Sequence, residues 1–339
     1  MTGGAEGGKV LVSIGIKALN EEMHIAASIA SAFAALGNLK GEVVLADSGS
    51  QDRTLEIARA FPDLRIIQLA NRAERCCGAG AQLAYQTTRG DYFYLLDGDM
   101  VLHPGFLEAG IAFLEAHPDH AGVGGIVHEA NTTSIEYAAR QRNAEARSEA
   151  VAGDVDRLDC GGLYRRSAIE QVGYFADRSL HAFEEFELAA RLRNRGWKLA
   201  RIAVAAVDHH GHSAGGFALL WRRVRSGYAG GTGEVFRAGL GRSHWRETSL
   251  GFSHFRHACM VVAWWLLLLA LLVTGHFGWL LLCLGAALAF LSWRRRSLMH
   301  GAYSLATWTM HGIGLLQGLM RRRPGPERAL RFLVIQDRG

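Results

Sequence analysis

The first third of the chain alternates short continuous apolar runs with segments of helical spacing. KVLVSIGI (9–16), GEVVLAD (41–47), LRIIQLA (64–70) and DYFYLLD (91–97) predict strands. EEMHIAASIASAFAAL (21–36), the segment following SGSQD, and residues 76–88 predict helices between them. Asn20 is a candidate cap for the first helix, and Ser50 or Asp52 for the second. Strands that are apolar without alternation are covered on both faces. The series therefore predicts an α/β fold, a mostly parallel sheet flanked by helices. In such sheets ligands sit beyond the carboxyl ends of the strands. Three of those ends are polar: KALNE (17–21), DSGS (47–50) and DGD (97–99). They are expected to converge on one crevice.

A different pattern fills the last third. Residues 258–293 contain no Asp, Glu, Lys or Arg. One crossing of a bilayer takes roughly 20 apolar residues, so this run predicts a hairpin of two transmembrane helices turning at TGHFG (274–278). A pair of buried core helices is the alternative. Arg242, Arg246 and Arg256 precede the run and Arg294, Arg295 and Arg296 follow it. By the positive-inside rule both flanks, and the N-terminal domain with them, face the cytoplasm. GAYSLATWTMHGIGLLQGLM (301–320) holds His311, Gln317 and four glycines and runs into Arg321–Arg323. It reads as an interfacial or re-entrant helix, or as a third span. FALLWRRVRSGY (217–228) predicts an amphipathic helix with Leu220, Trp221, Val224 and Tyr228 on one face and Arg222, Arg223 and Arg225 elsewhere. It suits a membrane interface or ordinary packing.

The expected organisation is a flexible 1–8, an α/β domain over 9–230, a basic linker over 231–256, a helical hairpin over 257–293, and a membrane-associated helix with a basic tail over 294–339. The N-terminus has no apolar segment of the signal-peptide kind. A multi-pass protein of the cytoplasmic membrane is expected. The net charge is +5, and the basic residues gather around the apolar segments rather than on an aromatic-studded sheet. A nucleic-acid partner is not indicated. Five cysteines form no CxxC pair and no disulfide framework.

The candidate chemistry lies at the strand ends. In an extended chain residues i and i+2 project to one side, which would aim Asp97 and Asp99 together. Two hard carboxylates so arranged suit Mg²⁺ or Mn²⁺ shared with phosphate oxygens. A plain Asp-Gly-Asp turn is the alternative. DHHGHS (208–213) offers further metal or phosphate contacts, while zinc lacks a matching cysteine or second histidine cluster.

KALNEE (17–22), ADSGSQDRT (46–54), LLDGDM (95–100), CGGLYRR (160–166) and FEEFELAARLRNRGW (183–197) resemble, in order and spacing, the family 2 glycosyltransferases, which have the GT-A fold. The resemblance runs over roughly residues 9–230. It implies a nucleotide-sugar donor, most often a UDP-sugar, and inverting transfer to an acceptor hydroxyl or phosphate. By it, Asp47 reads the base, and Ala18, Asn20 and Glu21 line the nucleoside pocket. Gly78 and Gly80 let the backbone approach the nucleotide, or simply begin a helix. Asp97 lies near ribose and metal, Asp99 is the direct ligand, and His209 or His210 contacts metal or diphosphate. Glu185 is the catalytic base with Glu184 beside it, where the family usually has Glu-Asp. Both acids also fit a solvated helix start. Glu22 reads as a first-turn acid, Asp52 as a helix cap, Arg72 and Arg75 as diphosphate contacts or solvated cations. Cys160-Gly161-Gly162 reads as a bend under the acceptor.

Two departures, Lys17 for the usual Pro and Glu185 for Asp, keep a second reading open: a catalytically silent nucleotide-sugar-binding subunit of a glycan synthesis or export complex. The Gln-x-x-Arg-Trp signature of processive synthases is absent. Transfer of a single sugar to a lipid-linked or other membrane-borne acceptor in cell-envelope glycan synthesis is expected. The sequence does not indicate an oligomeric state.

Overall fold

A computed structural model describes residues 10–130, 152–159, 162–211 and 216–337. The chain forms two compact units. The first comprises Met1–Ser179, Glu184–Ser213 and Pro324–Gly339, and the second Leu180–Phe183 and Ala214–Arg323.

The first unit opens with β1 (Val12–Ala18), α1 (Ile25–Leu36), β2 (Gly41–Asp47), α2 (Thr54–Ala58), β3 (Arg65–Leu69), α3 (Cys77–Gln86) and β4 (Tyr92–Asp97). Then come β5 (Met100–Leu102), α4 (Phe106–Ala116), β6 (His120–Glu129), β7 (Gly153–Asp154), β8 (Gly162–Arg165), α5 (Arg166–Gln171), α6 (Glu184–Asn194) and β9 (Lys198–His209). The strand β10 (Phe332–Gln336) returns from the end of the chain. The sheet runs β10-β3-β2-β1-β4-β8-β6-β9-β5, with β7 on β9. Strands β3, β2, β1 and β4 are parallel, the block expected from the βα series. Beyond it the sheet is mixed: β8 is antiparallel to β4 and β6, β5 and β7 to β9, and β10 to β3.

The continuous apolar strands are covered on both sides. In β2, Val43 and Leu45 join one core while Val44 and Ala46 join the other. In β4, Tyr92, Tyr94 and Leu96 face the first core, and Phe93 and Leu95 the second. Alternate side chains of a strand point to opposite faces, so an unbroken apolar run feeds two layers of helices.

The first helix begins at Ile25, later than its apolar pattern suggests, because Asn20, Glu21 and Glu22 are held in a loop. Asn20 adopts φ 59° and does not cap α1.

The second unit is helical: α7 (Gly216–Ser226), α8 (Gly231–Gly239), α9 (Trp245–Thr248), α10 (Ser253–Val273), α11 (Phe277–Arg295) and α12 (Leu298–Met320). Residues 231–256, which read as a basic linker in the sequence, thus carry α8 and α9. Helices α10 and α11 are each long and apolar enough to cross a membrane, and only 17% and 6% of their apolar windows are buried. Helix α12 packs through glycines instead. A Cβ at Gly314 would lie 2.0 Å from the Ala229 carbonyl oxygen, and one at Gly318 would lie 2.1 Å from that of Gly230. Such spacing lets helix and backbone touch directly.

The chain after α12 rejoins the first unit. Strand β10 pairs with β3, Phe332 opposite Leu69. The Arg178 guanidinium donates to the carbonyls of Arg328 (2.7 Å) and Ala329 (3.0 Å). Gln336 Nε2 donates to those of Phe61 (2.9 Å) and Leu64 (2.8 Å).

Candidate active site

The loops after β1 and β2 are sewn to each other by short polar side chains. Asn20 N–H donates to Ser50 Oγ (2.9 Å) and Gln51 N–H to Asn20 Oδ1 (2.8 Å). Glu21 N–H reaches Thr54 Oγ1 (2.8 Å), Glu22 N–H reaches Asp52 Oδ2 (3.1 Å), and Arg53 N–H reaches Glu22 Oε2 (3.1 Å). Asp52 also accepts from the Thr54 N–H at 3.0 Å, the turn-forming bond expected of it. Glu22 therefore serves the loop, not a first helical turn. Asp47 is fully buried. It accepts from the amides of Gly49 (2.8 Å) and Ser50 (3.1 Å) and from Gln68 Nε2 (2.8 Å). The turn it holds needs the left-handed conformation of Gly49, φ 94°. Gln68, which no sequence feature marks, fixes Asp47 from β3.

The other strand end meets these loops. A Cβ at Gly98 would lie 3.0 Å from Glu21 Cγ and 3.3 Å from Ala18 Cβ, so Ala18, Glu21 and the Asp-Gly-Asp segment are neighbours. From α3, a Cβ at Gly80 would lie 3.2 Å from Ser48 Oγ and 3.5 Å from Lys17 Cβ. Gly78 is buried two residues earlier in the same helix. The stem of Arg72 packs beside Gly49.

Lys17 is the hub of this region. Its Nζ is 3.2 Å from Asp97 Oδ1 and 2.9 Å from Glu184 Oε1, joining the end of β4 to the start of α6. Burial opposes its charge, but Asp97, Glu184 and Glu185 outweigh burial and raise its pKa well above the ordinary lysine value. Burial raises the Asp97 carboxyl, with Asp99 and Glu184 adding to it and Lys17 working against it. Glu185 is pushed up to about 8, first by burial and then by the charge of Glu184, again with Lys17 opposing. The sequence marks Lys17 only as a departure from the family pattern.

Asp97 and Asp99 do not share one extended segment. Residues 98 and 99 form a turn between β4 and β5. Asp97 contacts Lys17, and Asp99 lies by His209, whose Nε2 is 3.5 Å from Asp99 Oδ2. Register explains the meeting, because Met100 and Glu129 both lie opposite His209, on β5 and β6. His209 Nδ1 is 2.8 Å from Glu129 Oε2. Burial opposes charge on this imidazole, but the hydrogen bonds to Asp99 and Glu129 raise it to about 10. His210 behaves differently. Its amide donates to the Asp99 carbonyl (3.0 Å), and its ring stacks on His24 with centroids 5.1 Å apart.

Among the described residues no group of three or more His, Cys, Asp or Glu is arranged to hold a metal ion. Asp99 and His209 are the pair that could hold one, and an ion there would have to displace the proton that the two carboxylates favour on the imidazole. Magnesium-type ions take one or two protein ligands and fill the remaining positions with water and substrate phosphates. Asp99 and His209 lie close enough to share an ion. Glu129 stands behind the imidazole as the carboxylate partner that orients metal-binding histidines. Nothing in the sequence singles this residue out, because a glutamate closing a strand has no distinguishing neighbours. Cys160 and Gly161 lie outside the described residues; Gly162 begins β8.

Residues 13–173 match the family described as glycosyl transferase family 2. This segment is a family 2 glycosyltransferase domain. EpsE of Bacillus subtilis (strain 168), named as a glycosyltransferase, is 34% identical over 121 residues, 35% of this chain and 42% of EpsE. Mannosyltransferase PcManGT from Pyrobaculum calidifontis, solved with GDP-Man and Mn²⁺, is similar over 92% of this chain and 88% of its own, with a TM-score of 0.57 and 18% identity. S. aureus TarS 1-349, solved with UDP-GlcNAc, is similar over 60% of this chain and 59% of its own, with a TM-score of 0.50 and 17% identity. The chain thus spans less than two thirds of EpsE and of the TarS fragment. These likenesses give the family 2 domain its GT-A fold. Glu184, Glu185 and His209 lie beyond the matched segment, on α6 and β9, the elements that complete the same unit.

Proposed function

We propose that the chain is an inverting glycosyltransferase that moves one sugar from a nucleotide-sugar, a UDP-sugar, to a lipid-linked or other membrane-borne acceptor of cell-envelope glycan synthesis. The observation that carries the reading is the meeting of two charge clusters at the strand ends of the family 2 domain. One is Asp97, Lys17, Glu184 and Glu185; the other is Asp99, His209 and Glu129. PcManGT and TarS were solved with nucleotide-sugars, and PcManGT with Mn²⁺, which supports the same class of donor and ion here. Asp99 and His209 would hold Mg²⁺ or Mn²⁺, which when bound neutralises charge on the diphosphate.

The remaining chemistry belongs to side chains. Before donor binds, Lys17 keeps the acids of the crevice from repelling one another. Glu185, with its pKa near 8, is the proton acceptor for an acceptor hydroxyl, since a base works best with a pKa near the working pH. Where the acceptor oxygen is a phosphate, already anionic, Glu185 orients it instead. Asn20, Glu21 and Ala18 frame the nucleoside side. Asp47 sets the loop that forms its rim.

The membrane part of the reading rests on α10 and α11 as two crossings. Their exposed apolar faces support it, because an exposed apolar surface this long is otherwise left to water. Glu184–Ser213, ahead of α7, and Pro324–Gly339, after α12, belong to one unit and so lie on one side of any membrane. The number of crossings between them is therefore even. Of the two readings open for residues 301–320, this favours a non-spanning helix.

The test is transfer of labelled sugar from UDP-sugars by the full chain in lipid nanodiscs. Turnover lost in Glu185→Gln, with donor binding retained, supports the reading. Donor binding without turnover in the unaltered protein would make it a nucleotide-sugar-binding scaffold.

A further inference from the structure

Three histidines of the second unit meet outside the site described above. His254 and His257 lie in the first turns of α10, and His311 lies on α12. The ring of His311 is 5.8 Å from that of His254 and 5.6 Å from that of His257, centroid to centroid. Trp308, one turn from His311, sets its ring edge-on to His257 at 5.5 Å. On the other flank Phe183 and Phe252 pack against His254, at 4.9 and 5.4 Å. Arg223 of α7 is near enough for its charge to act on His311. The imidazoles are half-buried or exposed, so the cluster is open to a ligand.

Two features choose the ligand. The cluster is not a metal centre, since among the described residues no trio of His, Cys, Asp or Glu is arranged to hold one. What it offers is several donors of potential positive charge from three helices, which is the chemistry of an anion site, and of phosphate above all. Its place on α10 supplies the second feature. The polar turn Ser253–His257 gives way to a charge-free helix from Ala258 onward. The outer face of that helix is apolar and open, with Met260 64%, Leu266 61% and Leu269 54% exposed. A phosphate held at the histidines would have its apolar tail laid along that face at headgroup depth.

We propose that His254, His257, His311 and Arg223 form a site for the phosphate headgroup of a lipid phosphate. The identity of that lipid as the sugar acceptor rests on the function proposed above. The phosphate site itself does not. His311 is depressed to about 4, by burial first and then by His254, His257 and Arg223. Burial and the charges of His254, His257 and Arg223 disfavour a proton on His311, and the charge of a bound phosphate acts in the opposite direction. Phe183, packed on His254, is followed directly in the chain by Glu184 and Glu185.

The experiment titrates the full chain in detergent with farnesyl phosphate, farnesol and inorganic phosphate, reading tryptophan fluorescence and, in parallel, UDP-sugar binding. Farnesyl phosphate is expected to bind, farnesol and inorganic phosphate each to bind at least about tenfold more weakly, because each lacks one half of the recognition. His257→Gln and His311→Gln are expected to weaken farnesyl phosphate about tenfold each, with melting temperature and UDP-sugar binding unchanged. Arg223→Gln tests the same point on another helix. Farnesyl phosphate binding unchanged in the His257→Gln/His311→Gln double variant would overturn the proposal. Equal binding of farnesol would overturn it too, as would inorganic phosphate binding as tightly as the lipid. Failure of UDP-sugar binding alone would sink the donor reading and leave the phosphate site to its own titration.

Discussion

Lys17 lies 3.2 Å from Asp97 Oδ1 and 2.9 Å from Glu184 Oε1, and its charge opposes the rise of both Asp97 and Glu185. Replacing it with methionine removes a charge that opposes the rise of Asp97 and Glu185. Lys17→Met is expected to raise the Glu185 pKa above its present value near 8. The sign for activity follows. A general base acts deprotonated, so transfer to a hydroxyl acceptor should climb with pH up to about 8 and level off above it. In Lys17→Met the climb moves to higher pH. A kcat/KM profile over pH reads this directly, because it reports the free enzyme. In Glu185→Gln the same limb should vanish and turnover should fall by about 10²–10⁴-fold, with donor affinity kept. A profile indifferent to Lys17 would mean that Glu185 is not the group being titrated.

Among the elements, α6 shows how the candidate base is held. Glu187, fully buried, takes two 2.9 Å bonds from Arg191 Nε, and the Tyr174 hydroxyl reaches it at 3.1 Å. Arg191 also donates to the Phe175 carbonyl (2.9 Å) and lies 3.8 Å above the Tyr174 ring. Removing one partner of a buried pair strands the other, so Glu187→Leu should cost about 3–5 kcal/mol of stability in denaturant unfolding. The helix carrying Glu184 and Glu185 should loosen with it. Helix α12 is held in the opposite way, by absence of side chains. Gly314→Ala and Gly318→Ala drive a methyl into the backbone of residues 229–230. Each should destabilise the second unit by about 1–3 kcal/mol, seen as a lowered melting temperature.

These elements also show what a sequence can reveal. The parallel block was legible because strands β1–β4 are short and unbroken in their apolar character, which only two-sided burial explains. The two apolar helices were legible from length alone. The strand-end positions Ala18, Asn20, Glu21, Asp47, Asp97 and Asp99 could be marked because turn chemistry and carboxylates stand out there. Lys17, Glu129 and Gln68 could not, since their roles depend on pairings between strands distant in sequence. Glu129 meets His209 only through the β6–β9 register, and Lys17 meets Glu184 across 167 residues. Of the four glycines in residues 301–320, Gly314 and Gly318 are contact points with a segment some 80 residues away, a pairing that sequence spacing does not show.

At the scale of the whole molecule, the chain leaves the α/β unit briefly at Leu180–Phe183 and then for Ala214–Arg323, after which it comes back as β10. A reporter at each terminus should accordingly be labelled from the same side of sealed vesicles, and labelling from opposite sides would refute two crossings. The account as a whole stands on the cluster in which Lys17, Asp97, Glu184 and Glu185 lie beside Asp99 and His209. Its most direct test is sugar transfer from labelled UDP-sugars by the nanodisc-embedded chain, with Mn²⁺ present or chelated, in the unaltered protein, Asp99→Asn and Glu185→Gln. The account predicts transfer by the unaltered protein that needs the ion, falls with Asp99→Asn, and falls with Glu185→Gln while donor binding stays. Transfer by Glu185→Gln at the unaltered rate would contradict it.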